Sequence, residues 1–334
     1  MEFTKRRFLK GLIAAPVLAG PVLAAPALLM SQSEKAFAQA PKAKTYNDTP
    51  GFYHYRVGDF KITALLDGYF EMPTNFIKGY DEKAAKASTK QSYRRFTTGS
   101  VSVPVNAYVI NTGKELILLG GGTPKFMGAT LGQLPANMAA AGINPDDITK
   151  VMLTHTHPDH VAAFTTKNGS KAFKNAKLIL SETEWNFIHN DKVRDASPKD
   201  FKSMIDYARA ALAPYKADRQ TFKGATELFA GITSSPLPGH TPGHTGYELN
   251  SKGEKLFFWG DVTHFSTLQF ANPDWKVIFD ADPELAKKTR HAIFERASAE
   301  RLAIAGAHVD FPGIGYVEKS GNAYRYIPAP WMPA

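Results

Sequence analysis

The chain has 334 residues, of which 43% are hydrophobic and 21% are charged. This is an ordinary globular composition, and the chain is long enough to bury a large core. The formal charge is +9, but the lysines and arginines are scattered, which argues against a nucleic-acid groove. Cysteine is absent, so disulfides, thiolate metal ligands and cysteine nucleophiles are excluded.

Residues 1–38 have the pattern of a twin-arginine export signal. The basic stretch Lys5–Lys10, with Lys5 in place of the first arginine, precedes an apolar run, and Ala36-Phe37-Ala38 offers a cleavage site. We therefore expect the twin-arginine machinery to deliver the protein to the periplasm or outside the cell, without a stable membrane anchor after cleavage. A transmembrane anchor is the alternative, which three prolines in the apolar run oppose.

The remaining chain reads as a polar, flexible lead-in over 39–52 and a single domain over 53–334. Apolar runs predict strands over 60–65 (ended by Asp67-Gly68), 101–111, 115–119, 148–153, 177–180 and 301–305, with strand pairs near 221–235 and 246–259. Helical spacing predicts helices over 81–95, 126–141, 197–213 and 283–299. Ser181 and Glu184 predict a capping box at the start of another helix. Frequent hairpins among alternating strands and helices predict mixed sheets.

The most informative stretch covers residues 151–160. An apolar strand is followed within a few positions by four residues of metal-ligand type, which are His155, His157, Asp159 and His160. The spacing of His155 and His157 suits an extended loop whose alternate side chains point the same way, and Pro158 suits the first turn of a helix. The loop therefore offers ligand pairs to two neighbouring zinc-like metals. A histidine-rich surface loop is the alternative.

Three later segments carry ligand-type residues at strand ends or in a Gly/Pro-framed turn, where a rigid scaffold places functional groups. They are His240 and His244 in the turn 238–244, Asp261 after the apolar run 257–260, and His308 after the strand over 301–305. Together with the loop 151–160 they predict one metal site.

This order of motifs resembles the metallo-β-lactamase superfamily. The resemblance implies an α/β fold, an αββα sandwich of two mixed sheets flanked by helices, with the site at one edge. Motifs at 51–53, 58–68, 239–245 and 311–315 look like the methyl parathion hydrolase family and related lactonases. This narrower resemblance extends from about Gly51 to Pro328 and also suggests a homodimer.

Carried over position by position, the resemblance implies two divalent metals, zinc first, with manganese, iron or cobalt as alternatives. One metal would be held by His155, His157 and His240, the other by Asp159, His160 and His308, with Asp261 bridging. His244 then falls beside the ligands, where it either orients one of them or only stabilises its own turn.

Two such ions about 3.5–4 Å apart lower the pKa of a shared water from 15.7 towards ~7, so a bridging hydroxide is the expected nucleophile. Asp159 is a candidate for handling the leaving group. His264 follows Asp261 by three positions, where related lactonases carry a tyrosine. It is a candidate for binding the substrate oxygen or protonating the leaving group, unless it is a solvent-facing loop histidine.

Aromatic side chains are candidates for lining an apolar substrate pocket. Those selected are Phe126, Trp185, Phe187, Phe201 and Phe265. Two positions depart from the family pattern. Gly120 stands where relatives carry an aspartate that supports the metal loop from beneath, and Ala162-Ala163 replaces the usual glycine pair. Both departures predict weakened or shifted metal binding.

The sequence therefore predicts an exported dinuclear metallohydrolase for a neutral, apolar lactone or aryl ester, with phosphotriesters as a side activity. A β-lactamase-like hydrolase and a catalytically weak binding protein of the same fold are the alternatives. Cleavage of RNA or DNA is opposed by export and by the lack of a basic cluster.

Overall fold

The computed structural model describes residues 49–331. The predicted export signal lies outside this range, as do residues 39–48 of the predicted lead-in. Regular structure begins at Phe52, the last residue of that lead-in. Among the helices of the described range, none combines the length and the apolar character needed to cross a membrane.

The described residues form sixteen strands and seven α-helices. The strands are β1 (Phe52–Val57), β2 (Phe60–Pro73), β3 (Ile77–Lys78), β4 (Ser100–Asn111), β5 (Leu116–Leu119), β6 (Lys150–Met152), β7 (Lys177–Ser181), β8 (Arg219–Phe222), β9 (Glu227–Phe229), β10 (Ile232–Pro236), β11 (Thr245–Ser251), β12 (Glu254–Phe258), β13 (Lys276–Val277), β14 (Ala303–Ala305), β15 (Ile314–Ser320) and β16 (Ala323–Pro328). The helices are α1 (Glu82–Gln91), α2 (Leu134–Ala140), α3 (Glu182–Ile188), α4 (Asp191–Ala196), α5 (Lys199–Leu212), α6 (Ser266–Ala271) and α7 (Pro283–Ala299).

The strands build two seven-stranded sheets with the orders β1-β2-β4-β5-β6-β7-β8 and β16-β15-β14-β12-β11-β10-β9, and β3 pairs separately with β13. Both large sheets are mixed. In the first sheet, β5 to β8 are parallel to one another. In the second sheet, β12 and β14 are parallel neighbours. The carboxyl ends of β12 and β14 therefore meet at one edge.

Alternate side chains of a strand point to opposite faces, so each sheet buries apolar residues on both sides. Between the sheets, Ile62 and Ile117 of the first share a buried cluster with Tyr247 and Phe258 of the second. Helices α2, α3 and α5 cover the outer face of the first sheet, and α7 covers that of the second. The predicted αββα sandwich is confirmed.

Strand β2 does not end at Asp67-Gly68 as predicted, because a β-bulge carries it through this turn signal. The Asp67 side chain is 1% exposed. Its carboxylate accepts the backbone N–H of Thr123 at 2.7 Å, Leu134 at 2.8 Å and Gly132 at 3.1 Å. Asp67 thus anchors the loop before α2 instead of ending a strand.

Two other predicted elements are corrected. The helix over 126–141 shortens to α2, because Gly132 has a φ of +75°, outside the helical range. The strands near 221–235 do not form one pair. Strand β8 joins the first sheet beside β7, whereas β9 pairs with β10 in the second. The predicted helix over 283–299 has the observed bounds of α7, with Asp282 capping it.

A buried arginine fixes helix α7 to the segment between β12 and β13, which contains α6. Arg290 is 1% exposed and donates hydrogen bonds to the carbonyl oxygens of Val262 at 2.8 Å, Pro273 at 2.9 Å and Trp275 at 2.8 Å. Burial lowers the pKa of Arg290 to about 10, so the guanidinium stays charged at neutral pH. A single side chain therefore satisfies three backbone acceptors on the two sides of α6.

Replacing Arg290 with methionine should lower the free energy of unfolding by about 3 kcal/mol, because buried carbonyls lose charge-assisted donors. Urea denaturation measures this change. The matched control is Arg296→Met on the same helix, where a partly exposed guanidinium pairs with Glu248 and should cost at most about 1 kcal/mol. Equal, small losses in both variants would contradict the role given to Arg290.

Candidate metal centre

Four segments from the two sheets converge on the site. The loop after β6 carries His155 and His157, and Pro158–His160 forms a short 3₁₀ turn with proline at its first position. The turn between β10 and β11 supplies His240. The second sheet contributes two more residues at the meeting edge of its parallel strands, Asp261 after β12 and His308 after β14. The strand ends thus place all the predicted ligands together.

The first ligand group consists of His155, His157 and His240, whose ligand atoms lie within 4.8 Å of one another. His240 Nε2 is 2.9 Å from His157 Nδ1 and 3.2 Å from His155 Nε2. Burial lowers the pKa of His157 to about 3 and of His240 to about 4, and lowers that of His155 well below its usual value. These neutral imidazoles are in the protonation state that metal ligation requires.

The second group consists of Asp159, His160, Asp261 and His308, also within 4.8 Å of one another. His160 Nε2 lies 3.3 Å from Asp261 Oδ1. Both atoms are buried without a hydrogen-bond partner among the described residues. Buried polar atoms are normally paired, so these two point to a cation between them.

The Asp261 carboxylate lies between the two groups. Its Oδ2 is 3.1 Å from His308 Nε2, 3.5 Å from His240 Nε2 and 3.7 Å from His155 Nε2. Although burial opposes ionisation, the imidazoles of His308, His160 and His155 hold the pKa of Asp261 well below its usual range. An ionised carboxylate in this position fits the bridging role that the resemblance implied. Imidazole and carboxylate together suit zinc.

Outer contacts hold these ligands in place. The Asp280 carboxylate lies 2.9 Å from Nδ1 of His240 and directs Nε2 of that ring towards the site. His244 is not in either ligand group: its Nε2 accepts the backbone N–H of Asp261 at 3.0 Å, and its Nδ1 contacts the Leu237 carbonyl. His244 therefore supports both Asp261 and its own turn. Sequence reasoning missed Asp280, which no motif marks.

The run of three glycines lies under the metal loop, as predicted from the resemblance. Ala162 and Ala163 donate backbone hydrogen bonds to the carbonyls of Gly122 and Gly121. Gly120 has a φ of +79° and borders a cavity of about 20 Å³ that His160 also lines. A Cβ added at position 120 would make only ordinary contacts, the nearest being with Ala107 at 3.8 Å. The position where the resemblance implies a supporting carboxylate therefore lies beside a ligand.

His264 is buried at the site and not on a solvent-facing loop. Its Nε2 lies 3.1 Å from Asp261 Oδ2, and neither ring nitrogen makes a hydrogen bond within residues 49–331. The ring borders two cavities. One, of about 60 Å³, is mainly apolar. The other, of about 110 Å³, is the more polar of the two: besides apolar side chains it is lined by hydroxyl groups and by the charged residues Glu71, Arg94, Arg95 and Asp310.

Two of the five predicted pocket aromatics line an apolar cavity beside the site. Phe187 and Phe201 border a space of about 270 Å³ that shares Met204 and Phe279 with the apolar cavity at the ligands. Several residues that line the apolar cavity at the ligands were not predicted from the sequence. They are Phe70, Met72, Val103, Met127, Met204 and Phe279. Phe70 and Met72 belong to the part of β2 beyond its predicted end.

Of the other three aromatics, Trp185 and Phe126 are corrected. Trp185 is a core residue, stacked on His189 at a ring-centroid distance of 3.9 Å. Phe126 is 76% exposed, and its neighbour Met127 lines the cavity instead. Phe265 is 1% exposed and borders the polar cavity together with His264 and His308, as predicted for a pocket residue.

The family model that matches this chain is that of the Metallo-beta-lactamase superfamily, over residues 102–308. The match covers more than half of the chain, and the fold and ligand arrangement agree with it. The chain therefore belongs to the Metallo-beta-lactamase superfamily.

Its relatives include metal-dependent hydrolases. One similar solved structure is the crystal structure of the hydrolase AbOPH in the beta lactamase superfamily. Its sequence is 34% identical to this chain, and the two structures match with a TM-score of 0.81 over 86% of this chain and 100% of that one. AidC, a dizinc quorum-quenching lactonase, is 25% identical, with a TM-score of 0.79 over 86% of this chain and 100% of that one. The N-acyl homoserine lactonase of Bacillus thuringiensis is 24% identical over 231 residues, 62% of this chain and 82% of the relative.

Replacing Asp280 with asparagine should weaken metal binding about 10- to 100-fold, because His240 loses the charged partner that fixes its ring. Competition with a chelator measures the affinity. The matched control is Asp274→Asn, which removes a carboxylate from an exposed pair with His291 and should leave the affinity unchanged. Equal affinities in the wild type and in Asp280→Asn would contradict the role of Asp280.

Replacing Gly120 with aspartate should increase metal retention during dialysis, because a carboxylate would enter the small cavity beside His160. The positive φ should at the same time lower the melting temperature, since an L-residue there costs about 1–2 kcal/mol. Gly120→Ala carries the same backbone cost without the carboxylate and should not improve retention. Unchanged metal occupancy in Gly120→Asp would refute the supporting role assigned to this position.

Proposed function

We propose that this protein is a dinuclear metal-dependent lactonase that also accepts aryl esters. The observation that supports it best is the pair of ligand groups joined by Asp261 where an apolar and a polar cavity meet. Two divalent ions there would supply Lewis acidity and would lower the pKa of a shared water from 15.7 towards ~7. The bond to be cleaved would then lie over Asp261, with its two substituents in the two cavities.

The chain's own residues then serve distinct roles. Asp261 keeps the two ligand groups together. Asp159 lies on the open side of the second group, lines the apolar cavity and is placed to act at the leaving group. His264 lines both cavities, and neither ring nitrogen makes a hydrogen bond within the described residues, so we assign it hydrogen-bond donation to a substrate oxygen or proton donation to a departing alkoxide.

The cavities favour a substrate with one apolar and one polar part. Met204 and Phe279 connect the apolar cavity at the ligands with the larger space beside Phe187 and Phe201, which suits an extended apolar group. The hydroxyl-lined cavity on the other side of His264 suits hydrogen-bonding groups. An acyl lactone combines both features, and the lactonase relatives act on such compounds according to their names. Aryl phosphotriesters are proposed as weaker substrates of the same site.

The location proposed for the protein in the cell rests on the N-terminal export pattern alone. The pattern of residues 1–38 supports export by the twin-arginine machinery to the periplasm or beyond. Fractionation of cells expressing the full chain tests this, because a cytoplasmic, uncleaved product would contradict it. A homodimer is proposed from the resemblance, and the mass of the metal-loaded protein in solution tests it.

The test of the function is a substrate panel with protein reconstituted in zinc, manganese, iron or cobalt. Acyl lactones with short, medium and long chains are compared with aryl esters, phosphotriesters and β-lactams. We expect the highest kcat/KM on lactones with a medium or long acyl chain, and loss of activity on chelation. Preferential β-lactam turnover would favour the β-lactamase-like alternative, and metal binding without any turnover would favour a binding protein.

Replacing His264 with alanine should lower kcat on lactones by about 100-fold or more, while the two metals stay bound. His264→Tyr should restore part of this loss, because a phenol keeps a donor where related lactonases carry a tyrosine. Steady-state kinetics and metal analysis of the same samples measure both effects. Unchanged turnover of His264→Ala on every lactone, ester and phosphotriester would remove this residue from the mechanism.

A further inference from the structure

A buried carboxylate joins the two loops of the first ligand group. Glu184 is fully buried at 0% exposure, in the first turn of α3. Its Oε1 accepts the backbone N–H of Thr156 at 2.9 Å and the Thr156 hydroxyl at 2.7 Å. Its Oε2 accepts the Thr241 hydroxyl at 2.6 Å. All three donors are neutral, so the carboxylate is held by hydrogen bonds and not by a countercharge.

Both threonines are sequence neighbours of the histidines of the first ligand group. Thr156 lies between His155 and His157, and Thr241 directly follows His240. One carboxylate therefore fixes the relative position of two loops that carry all three imidazoles of the first group. Asp159 and His160 of the second group share a loop with Thr156, but neither they nor His308 lie on the turn 238–244, so the contact through Thr241 concerns the first group alone.

The surroundings are shaped to hold this carboxylate. Ser181 caps α3 by accepting the Glu184 backbone N–H at 3.2 Å, and the helix N-terminus favours negative charge. The capping box expected here is thus only half formed, because the Glu184 side chain turns to the loops instead of returning to the cap. Gly243 packs so close that an added Cβ would lie 2.2 Å from the Glu184 nitrogen. The turn 238–244 can therefore reach α3 only with glycine at this position.

We propose that Glu184 is a positioning residue that selectively sets the affinity of the His155/His157/His240 metal site. The inference rests on the proposed two-metal site but not on the substrate. Loss of a bond to Glu184 lets the two loops separate, so three imidazoles no longer converge on one point. The second group contains no residue of the turn 238–244, so its ligands keep their spacing when that turn moves away from the loop after β6. The chain would then lose one metal before the other.

The experiment uses zinc-reconstituted full chain dialysed against increasing chelator concentrations, with bound zinc per chain counted and the melting temperature of each metal-free protein recorded. Glu184→Gln replaces the carboxylate with an amide, whose NH₂ group cannot accept a hydrogen bond from the loops. Thr241→Val removes one hydroxyl and leaves Glu184 and its helix intact. Thr241→Ser is the matched control, because it keeps the hydroxyl.

Wild type and Thr241→Ser should release their two zinc ions at similar chelator concentrations. Glu184→Gln and Thr241→Val should lose one of the two about 10- to 100-fold more easily. Anomalous scattering from crystals of the one-zinc forms should locate the retained ion at the Asp159/His160/His308 group. The metal-free melting temperature of Thr241→Val should be only a few degrees below that of Thr241→Ser, because one buried acceptor loses one donor.

Two results would overturn the inference. One is wild-type retention of both zinc ions in Glu184→Gln and Thr241→Val. The other is equal weakening of both sites together with a fall in the metal-free melting temperature, which indicates general destabilisation. Failure of the lactonase proposal is a separate result: a chain that binds two metals as described but hydrolyses no lactone leaves the role of Glu184 unchanged.

Discussion

The shared Asp261 carboxylate is the interaction on which the remaining structure depends. Its two oxygens lie within 3.7 Å of imidazole nitrogens from three separate loops, in a buried site. A buried carboxylate is costly unless cations or donors compensate it, and here the compensation comes from both sheets. The sandwich must therefore close correctly before the site exists, because neither sheet carries a complete ligand group.

Precise placement of the ligands depends on a surrounding shell of buried acceptors. Asp280 orients His240, His244 holds the backbone of Asp261, and Glu184 joins the two loops of the first group. Asp67 supports the ligands less directly: it fixes the glycine-rich segment that lies under the metal loop. Four buried polar side chains thus hold the ligand-bearing loops in place.

Much of this was accessible from the sequence, for a physical reason. Ligand-type residues directly after apolar strands are local signals, so they marked the metal site, and local spacing and capping marked the helix over 283–299. The sandwich and the choice of seven ligands, with His240 in place of His244, followed from the resemblance to the superfamily. The outer shell was not predicted, because Asp280 and Glu184 act on residues far away in the chain. Glu184 even carried a misleading local signal, the capping box. The pocket was only half predicted: β2 continues past a turn signal through a bulge, and the face that Trp185 occupies is decided by packing.

The central claim is that these seven residues hold two metals joined by Asp261. The most direct measurement is anomalous scattering at the zinc edge from crystals of the zinc-reconstituted protein. Two peaks are predicted, one among His155, His157 and His240, and one among Asp159, His160 and His308, with the Asp261 carboxylate contacting both. A single peak, or two peaks without Asp261 between them, would contradict the account.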